Sequence, residues 1–269
     1  MKKLLLILLC VPMIGLGQNV NIPDANFKTY LVGNTAINTN GDTEIQLSEA
    51  SVFSGRIICF SLNITDLTGI EAFTALDTLV CGDNQFTFLD VSNNTSLTFL
   101  ICNSRNNQLT SLDVRGATAL TYLNCSGNQL TSLELSNNTN LTYLNCQYNQ
   151  LTSLDISNNT ALDTLHCSSN QLTSLDVSNN TSLTYLNCGG NQLTILDVSK
   201  NTDLTYLWCP NNQLTTLDIS AATALTKLSC WKNQLTSLDV STNTSLAFLH
   251  CSSNKFDCDA IIKKYKLKK

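Results

Sequence analysis

Histidine and cysteine are the residues of this chain whose chemistry could support catalysis or metal binding. The 269 residues include only two histidines, His166 and His250, and twelve cysteines. Neither histidine has beside it in sequence a serine, cysteine or aspartate that stands apart from the chain's repeating pattern, as a nucleophile and its base would. No CxxC pair or paired histidines of a zinc site accompany the cysteines. We therefore predict a protein that is not an enzyme and has no resident cofactor.

Ten of the cysteines recur once every 21 to 23 residues, which indicates one structural position repeated along the chain. They alternate with polar residues as core leucines do, and cysteine packs as a small hydrophobe. We predict a buried column of free thiols; disulfides between neighbouring repeats are the alternative. Cys258 lies outside this spacing and has no obvious partner in the sequence. The ten are Cys59, Cys81, Cys102, Cys125, Cys146, Cys167, Cys188, Cys209, Cys230 and Cys251.

A segment near the N-terminus has oxygen-bearing side chains at the spacing of an EF-hand calcium loop. Two features depart from that loop, because Thr43 stands where the sharp-turn glycine belongs and the first position is asparagine rather than aspartate. The alternative is a polar turn that leads into a helix capped near Ser48. If calcium binds, its ligands are predicted to be Asn38, Asn40, Asp42, Glu44 and Glu49.

A column of acidic residues also recurs once per repeat, and like charges stacked on adjacent strands cost stability. Two explanations are open. Each carboxylate accepts hydrogen bonds from the backbone or from Ser and Thr, or cations lie between the repeats. The column comprises Asp90, Asp113, Glu134, Asp155, Asp176, Asp197, Asp218 and Asp239.

The histidines, the acidic column and the cysteines from Cys81 to Cys251 are positioned by a 21-residue repeat that runs from about Leu76 to Asn254. In the copy at 183–193, Leu186 and Cys188 alternate with polar neighbours, which predicts a short strand with the pair directed inward. Asn191 then turns the chain, and its amide can satisfy backbone groups that the turn buries. A second half-repeat brings its own inward Leu196 and Val198 and its own Asn201. The first asparagine recurs as Asn84, Asn107, Asn128, Asn149, Asn170, Asn212, Asn233 and Asn254.

The spacing LxxLxCxxNxL resembles the leucine-rich repeat with cysteine in place of one leucine. Residues 57 to 254 are similar to bacterial surface proteins of the internalin type. The resemblance implies a curved, right-handed, β-rich solenoid of short parallel strands on an exported protein, often an adhesive one. Because each repeat is two arcs of about ten residues, we expect a convex side of mostly extended chain, with small helical caps at both ends.

The chain is predicted to consist of four parts. Residues 1–17 resemble a secretory signal peptide, with a basic start, an apolar stretch too short to span a bilayer, and a small-x-small cleavage site. Residues 18–55 form a helical N-terminal cap that contains the calcium-like loop, 56–254 are the repeats, and 255–269 form a C-terminal cap with a lysine-rich tail. A two-residue insertion after Cys102 is expected to bulge from the surface. Location outside a bacterial cell, secreted or at its surface, follows.

Partners are predicted from charge and from the outward strand positions. Without Lys2 and Lys3 the chain has 13 basic and 20 acidic residues, a net charge of −7 that argues against nucleic acid. We expect no membrane span after the signal, and a monomer. The outward columns are rich in aromatic residues, which either stabilise the register by stacking or bind a protein or glycan. The alternative to such recognition is a purely structural surface or matrix protein without a specific ligand.

Departures from the consensus, which include Pro210 and Lys232, cluster in the late repeats and favour a partner site between residues 206 and 250. The candidate partner-binding residues are Tyr122, Tyr143, His166, Tyr185, Tyr206, Trp208, Lys227, Trp231, Phe248 and His250.

Overall fold

A solenoid of short parallel strands forms the body of the protein. The computed structural model describes residues 17–103 and 108–268, so most of the predicted signal peptide and insertion lie outside it, as does Asn107. Ten strands pair in chain order into one parallel sheet, and β3 (Phe88–Asp90) and β5 (Ser111–Asp113) form a second, two-stranded one. The predicted fold class is confirmed. The ten are β1 (Arg56–Ile58), β2 (Thr78–Val80), β4 (Phe99–Ile101), β6 (Tyr122–Asn124), β7 (Tyr143–Asn145), β8 (Thr164–His166), β9 (Tyr185–Asn187), β10 (Tyr206–Trp208), β11 (Lys227–Ser229) and β12 (Phe248–His250).

The sheet aligns equivalent residues of successive repeats. Leu207 pairs with Leu186 on one side and Leu228 on the other, so the strands are one repeat apart. In every three-residue strand from β4 onward the middle leucine is buried. Since side chains alternate along a strand, the first and third residues face away from the core. We call the surface formed by these outward residues the concave face.

The core runs along the whole solenoid as stacked apolar side chains. Leu186 and Cys188 from the first arc are fully buried, and Leu196 and Val198 from the second arc are 4% and 0% exposed. Each large buried side chain contributes roughly 1.5–3 kcal/mol. No single repeat encloses its own core, so the stability depends on contacts between neighbouring repeats.

The predicted asparagine ladder connects neighbouring repeats through hydrogen bonds. Asn191 donates through Nδ2 to the carbonyls of Cys167 (3.1 Å) and Cys188 (3.0 Å). Its Oδ1 accepts the backbone N–H of Leu172 at 3.0 Å. One side chain thus satisfies backbone groups of two repeats that would otherwise be buried without partners. Asn201 in the second arc is also fully buried, and its Nδ2 donates to the carbonyls of Val177 and Asn180.

Two helices cover the first repeat. α1 (Ala25–Val32) begins after Asp24, whose carboxylate accepts the N–H groups of Asn26 and Phe27, so Pro23 precedes the cap instead of occupying the first turn. α2 (Leu47–Ala50) is capped by Gln46, so the cap predicted near Ser48 is two residues too late.

The C-terminal cap is α3 (Cys258–Tyr265), and it corrects the cysteine prediction. Cys251, the last residue of the cysteine column, forms a disulfide with Cys258, with the Cα atoms 5.6 Å apart. The prediction of a free thiol at Cys251 was therefore wrong, and Cys258, for which the sequence indicated no obvious partner, has one. The reason is that the chain reverses after the final repeat, which brings the first residue of α3 over the end of the column. The other nine cysteines of the column are buried and form no disulfide within the described residues, as predicted.

Candidate binding surface

The early ladder consists of Phe99, Tyr122 and Tyr143 on strands β4, β6 and β7. The rings of Phe99 and Tyr122 stack with centroids 4.2 Å apart at 14°, and those of Tyr122 and Tyr143 at 4.2 Å and 3°. Both faces of the Tyr122 ring are therefore covered by neighbours, and only ring edges and hydroxyls reach solvent. Burial, followed by the nearby Tyr143, raises the pKa of Tyr122 to about 12, so its hydroxyl stays protonated.

His166 continues this stack where the aromatic column is interrupted. Thr164 occupies the column position on β8, and the imidazole of His166 lies between Tyr143 (5.8 Å) and Tyr185 (4.6 Å) instead. Burial lowers the pKa of His166, which keeps the ring neutral at physiological pH. Tyr185 then stacks on Tyr206 at 5.5 Å. The position of His166 is thus accounted for by packing within the concave face.

The late patch consists of Tyr206, Trp208, Lys227, Trp231, Phe248 and His250, and its column order is broken. At β11 the aromatic is replaced by Lys227, whose Nζ lies 4.7 Å from the centroid of the Tyr206 ring. Trp208 and Phe248 lie two strands apart, yet their rings are nearly parallel at 8°, with centroids 5.9 Å apart. Ser229, on the strand between them, is fully buried. The regular one-ring-per-strand stack therefore ends at Tyr206.

Trp231 lies outside the strands but belongs to the same patch. It follows Cys230 in the turn after β11, and its ring stacks on that of His250 at 5.4 Å and 14°. Lys232 Nζ lies 5.0 Å from the Trp231 ring centroid. His250 Nε2 is 3.0 Å from Ser252 Oγ, a hydrogen bond that orients the imidazole. These contacts hold the rings of Trp231 and His250 at the edge of the concave face.

Of the ten candidate residues, two belong to the early ladder and six to the late patch, and His166 and Tyr185 lie between the two groups. Tyr122 and Phe248 occupy the same column six strands apart, about 29 Å at the usual strand spacing. A partner that contacts all ten would have to run along most of the sheet. That these residues bind a partner stays a prediction, and the geometry assigns early and late members different surroundings.

In the calcium-like loop, the carboxylate oxygens of Glu49 accept hydrogen bonds from other groups of the protein. Glu49 Oε1 accepts the N–H and hydroxyl of Thr39 and the N–H of Asn40, and its Oε2 accepts the N–H of Gln46. Burial acts to raise the pKa of Glu49, but these hydrogen bonds together outweigh burial, so the pKa is lowered. Calcium would have to displace these donors. Calcium binding here stays a prediction, and a melting temperature unchanged between calcium and a chelator would remove it.

The acidic column accepts hydrogen bonds from the residue two positions on. Asp155 Oδ1 accepts the N–H of Ser157 at 2.9 Å, and Asp239 makes the same bond to Ser241. Such bonds lower the pKa of both carboxyls. The structure thus contains the hydrogen bonds of the first explanation. Comparable bonds to the second residue on are made by Asp90, Asp113, Glu134, Asp176, Asp197 and Asp218.

An apolar area at the start of the concave face was missed by sequence reasoning. Ile58 and Phe60 are 52% and 46% exposed, and Ile58 borders a shallow cavity of about 340 Å³ with Arg56, Val80 and Phe99. The sequence does contain a pattern that indicates this area, because the apolar residues Ile58, Val80 and Ile101 share one outward column.

A comparison with solved structures identifies the family. The functional domain of InlJ from Listeria monocytogenes, which includes a cysteine ladder, matches with 35% sequence identity and a TM-score of 0.52. The match covers 88% of this chain and 62% of the InlJ chain. The chain is a leucine-rich-repeat protein of the internalin type. This internalin-type chain therefore spans less than two thirds of the InlJ structure.

Further comparisons agree on the fold of this internalin-type protein. An internalin, InlF, from Listeria monocytogenes is 20% identical over 95% of this chain and 97% of its own, with a TM-score of 0.52. The leucine-rich-repeat protein LIC12759 from Leptospira interrogans is 22% identical over 75% and 73%, with a TM-score of 0.56. Residues 41–159 match the family model of the LRR domain of the endo-beta-N-acetylglucosaminidase EndoS. No curated protein gives a significant match. Within the described ranges, no helix is long and apolar enough to cross a membrane.

Proposed function

We propose that this protein is an exported, non-enzymatic recognition module that binds a protein or glycan through the late patch of its concave face. Internalin-type leucine-rich repeats are commonly interaction modules, which supports the class of function. Location outside a bacterial cell belongs to the proposal, with the signal-like start of the sequence as its support. A monomer is sufficient for this binding, because all residues of the late patch lie within one solenoid.

The observation that carries the proposal is the break in ring stacking at β11. Along the early ladder each ring covers its neighbour, so the outward residues serve the scaffold. At β11 Lys227 and the buried Ser229 interrupt the two outward columns, and the half-buried Trp208 and Trp231 stack on Phe248 and His250 instead of on rings of a regular column. Tryptophan and tyrosine are enriched among the residues that anchor binding surfaces.

The competing function is structural. The chain would then display no specific partner, and the two tryptophans would only stabilise the last repeats. The stacking of Trp208 on Phe248 and of Trp231 on His250 favours this alternative, since stacked aromatic pairs contribute about 0.5–1.5 kcal/mol each.

Substitution of Tyr206, Trp208 and Trp231 by alanine separates the two functions. The purified protein is immobilised and exposed to a bacterial or host surface extract, and the retained material is quantified. We expect retention to fall at least about tenfold, as for anchors that each supply 2 kcal/mol or more, with the far-UV circular dichroism unchanged. Loss of folded structure in the triple variant, with undiminished retention by the fraction that stays folded, would establish the structural alternative.

A further inference from the structure

The C-terminal tail reaches the concave face beside the late patch. Lys268 pairs with Phe248 in a parallel bridge, in which Leu249 donates its N–H to Lys268 O and Lys268 donates its own to Ala247 O, both at 2.9 Å. The column therefore continues from Tyr206 through Lys227 and Phe248 to Lys268. Residues in register on parallel strands direct their side chains to the same side. Lys227 and Lys268 flank Phe248, about 10 Å apart at two strand spacings.

Charge is distributed unevenly along the solenoid. Residues 18–226 have five basic and 17 acidic side chains, whereas residues 227–269 have eight basic and three acidic ones. The outward positions of β10, β11 and β12 carry no carboxylate, and Thr205 and Thr226 stand where Asp163 precedes β8. Because charges are screened beyond about 8 Å at physiological ionic strength, the acidic body does not cancel this basic end.

The lysines of the basic end are available to a ligand. Lys232, Lys255 and Lys268 are exposed, and Lys227 is half-buried against the Tyr206 ring. Within the described residues, none of these four forms an ion pair. An ammonium group beside an aromatic ring without a carboxylate partner retains its capacity to bind an anion.

The rings add further attraction for oxygen-rich groups. Where rings stack on one another their faces are covered, so a ligand on the concave face meets ring edges, which carry the positive end of the aromatic quadrupole. Tyr206 adds a hydroxyl donor, and Trp208 and Trp231 each add an indole N–H. The surface therefore favours a chain with negative charges and many hydroxyl groups over an apolar peptide helix.

On these grounds, and resting on the proposed function, we infer that the partner of the late patch is an acidic polysaccharide whose carboxylate or sulfate groups bind Lys227 and Lys268 on either side of Phe248. A polymer with regularly spaced anions matches cations placed by regularly spaced strands. Lys268 thereby becomes a binding residue, and the lysine-rich tail is part of the recognition surface as well as a cap.

Polygalacturonate and its fully methyl-esterified, neutral form provide a matched pair of probes for calorimetric titration of the protein. We expect the acidic form to bind and the ester not to bind. The double variant Lys227→Gln/Lys268→Gln should weaken binding about tenfold or more, as for the loss of two charge-assisted hydrogen bonds. The control Lys263→Gln/Lys264→Gln removes the same charge from the outer surface of α3 and should change affinity less than about threefold, because screened charges add little.

Three results would overturn the inference. These are equal binding of the methyl ester, equal weakening by the two lysine pairs, and binding of poly-glutamate as tight as that of polygalacturonate, which would assign the anion to an acidic peptide. If acidic polysaccharides fail to bind while the Tyr206, Trp208 and Trp231 triple variant still loses its retained surface partner, only the ligand class is wrong. If the triple variant also retains its partner, the proposed function fails as well.

Discussion

The early ladder and the late patch have the same scaffold beneath them but use their outward positions differently. In the early ladder three rings lie 4.2 Å apart and nearly parallel, so each outward side chain is a packing partner of the next. In the late patch Lys227 interrupts this order, Trp208 stacks on Phe248 of the other outward column, and Trp231, which follows β11, stacks on His250. A repeat that could have extended the ladder instead departs from it, which is expected where selection acts on binding rather than on register.

The largest loss of stability should come from substitutions in the shared scaffold, and it should be the same under the early ladder and under the late patch. Asn149 under the early ladder and Asn233 under the late patch make the same bonds, two through Nδ2 to cysteine carbonyls and one through Oδ1. Replacing either by alanine leaves buried backbone groups unpaired and should lower the free energy of unfolding by about 3 kcal/mol. Urea denaturation of both variants checks this, and costs that differ by more than about 1 kcal/mol would contradict a uniform scaffold.

The disulfide should stabilise the late region alone. Cys258→Ser opens a loop of eight residues, and the loss of this cross-link should cost about 2–3 kcal/mol. Amide hydrogen exchange should quicken in β12 and α3, which the bond connects, while β6 and β7 keep their protection. Cys125→Ser, a change at a buried free thiol, serves as the control for the early region. Hydrogen exchange that rises equally along the solenoid after the loss of Cys258 would contradict the prediction that the disulfide stabilises only the C-terminal end.

The outward residues should differ in what they contribute to stability. Tyr122→Ala removes a ring stacked on both faces and should cost about 2 kcal/mol. Lys227→Ala removes a half-buried lysine over one ring and should cost less than about 1 kcal/mol. Thermal or urea unfolding of the two variants provides the measurement. A larger loss from Lys227 than from Tyr122 would reverse the assignment of scaffold and binding roles.

The smallest effect is the pH dependence from the acidic column, which passes beneath both regions. Hydrogen bonds from Ser157 and Ser241 lower the pKa of Asp155 and Asp239. A carboxyl whose pKa is depressed on folding stabilises the fold above its unfolded pKa, and this is lost as pH falls through the folded value. Stability should therefore decline from about pH 4 downward. Asp155→Asn and Asp239→Asn should each reduce that acid sensitivity by a similar small amount in acid titrations followed by circular dichroism. Unequal effects would mean that the column is not uniform.

Repetition explains why so much of the fold was predictable. Each leucine, cysteine and asparagine position recurs in many copies of the repeat. The inward positions, the strand positions and the asparagine hydrogen bonds could therefore be predicted correctly. The ends are not repeated, and although helices were predicted there, details were missed: Cys258 pairs with Cys251 through a chain reversal that no periodicity indicates, and α2 begins after Gln46. Lys268 was missed for the same reason, since its place on the concave face depends on a single bridge to β12.

The candidate site was predictable only as a set of columns. Alternation identified the outward residues, but it could not show that His166 fills the gap left by Thr164 or that Trp208 reaches across Ser229 to Phe248. These depend on side-chain size relative to the strand spacing, which acts between repeats and not within one. The distinction between a ring that supports its neighbour and a ring available to a partner therefore required the packed structure.

Hydroxyl-radical footprinting with and without the retained partner tests the central claim most directly, because both regions carry aromatic reporters in one molecule. We expect bound partner to reduce oxidation of Trp208 and Trp231 and to leave Phe99, Tyr122 and Tyr143 unchanged. Protection centred on the early ladder, or equal at both regions, would contradict the assignment of recognition to the late patch.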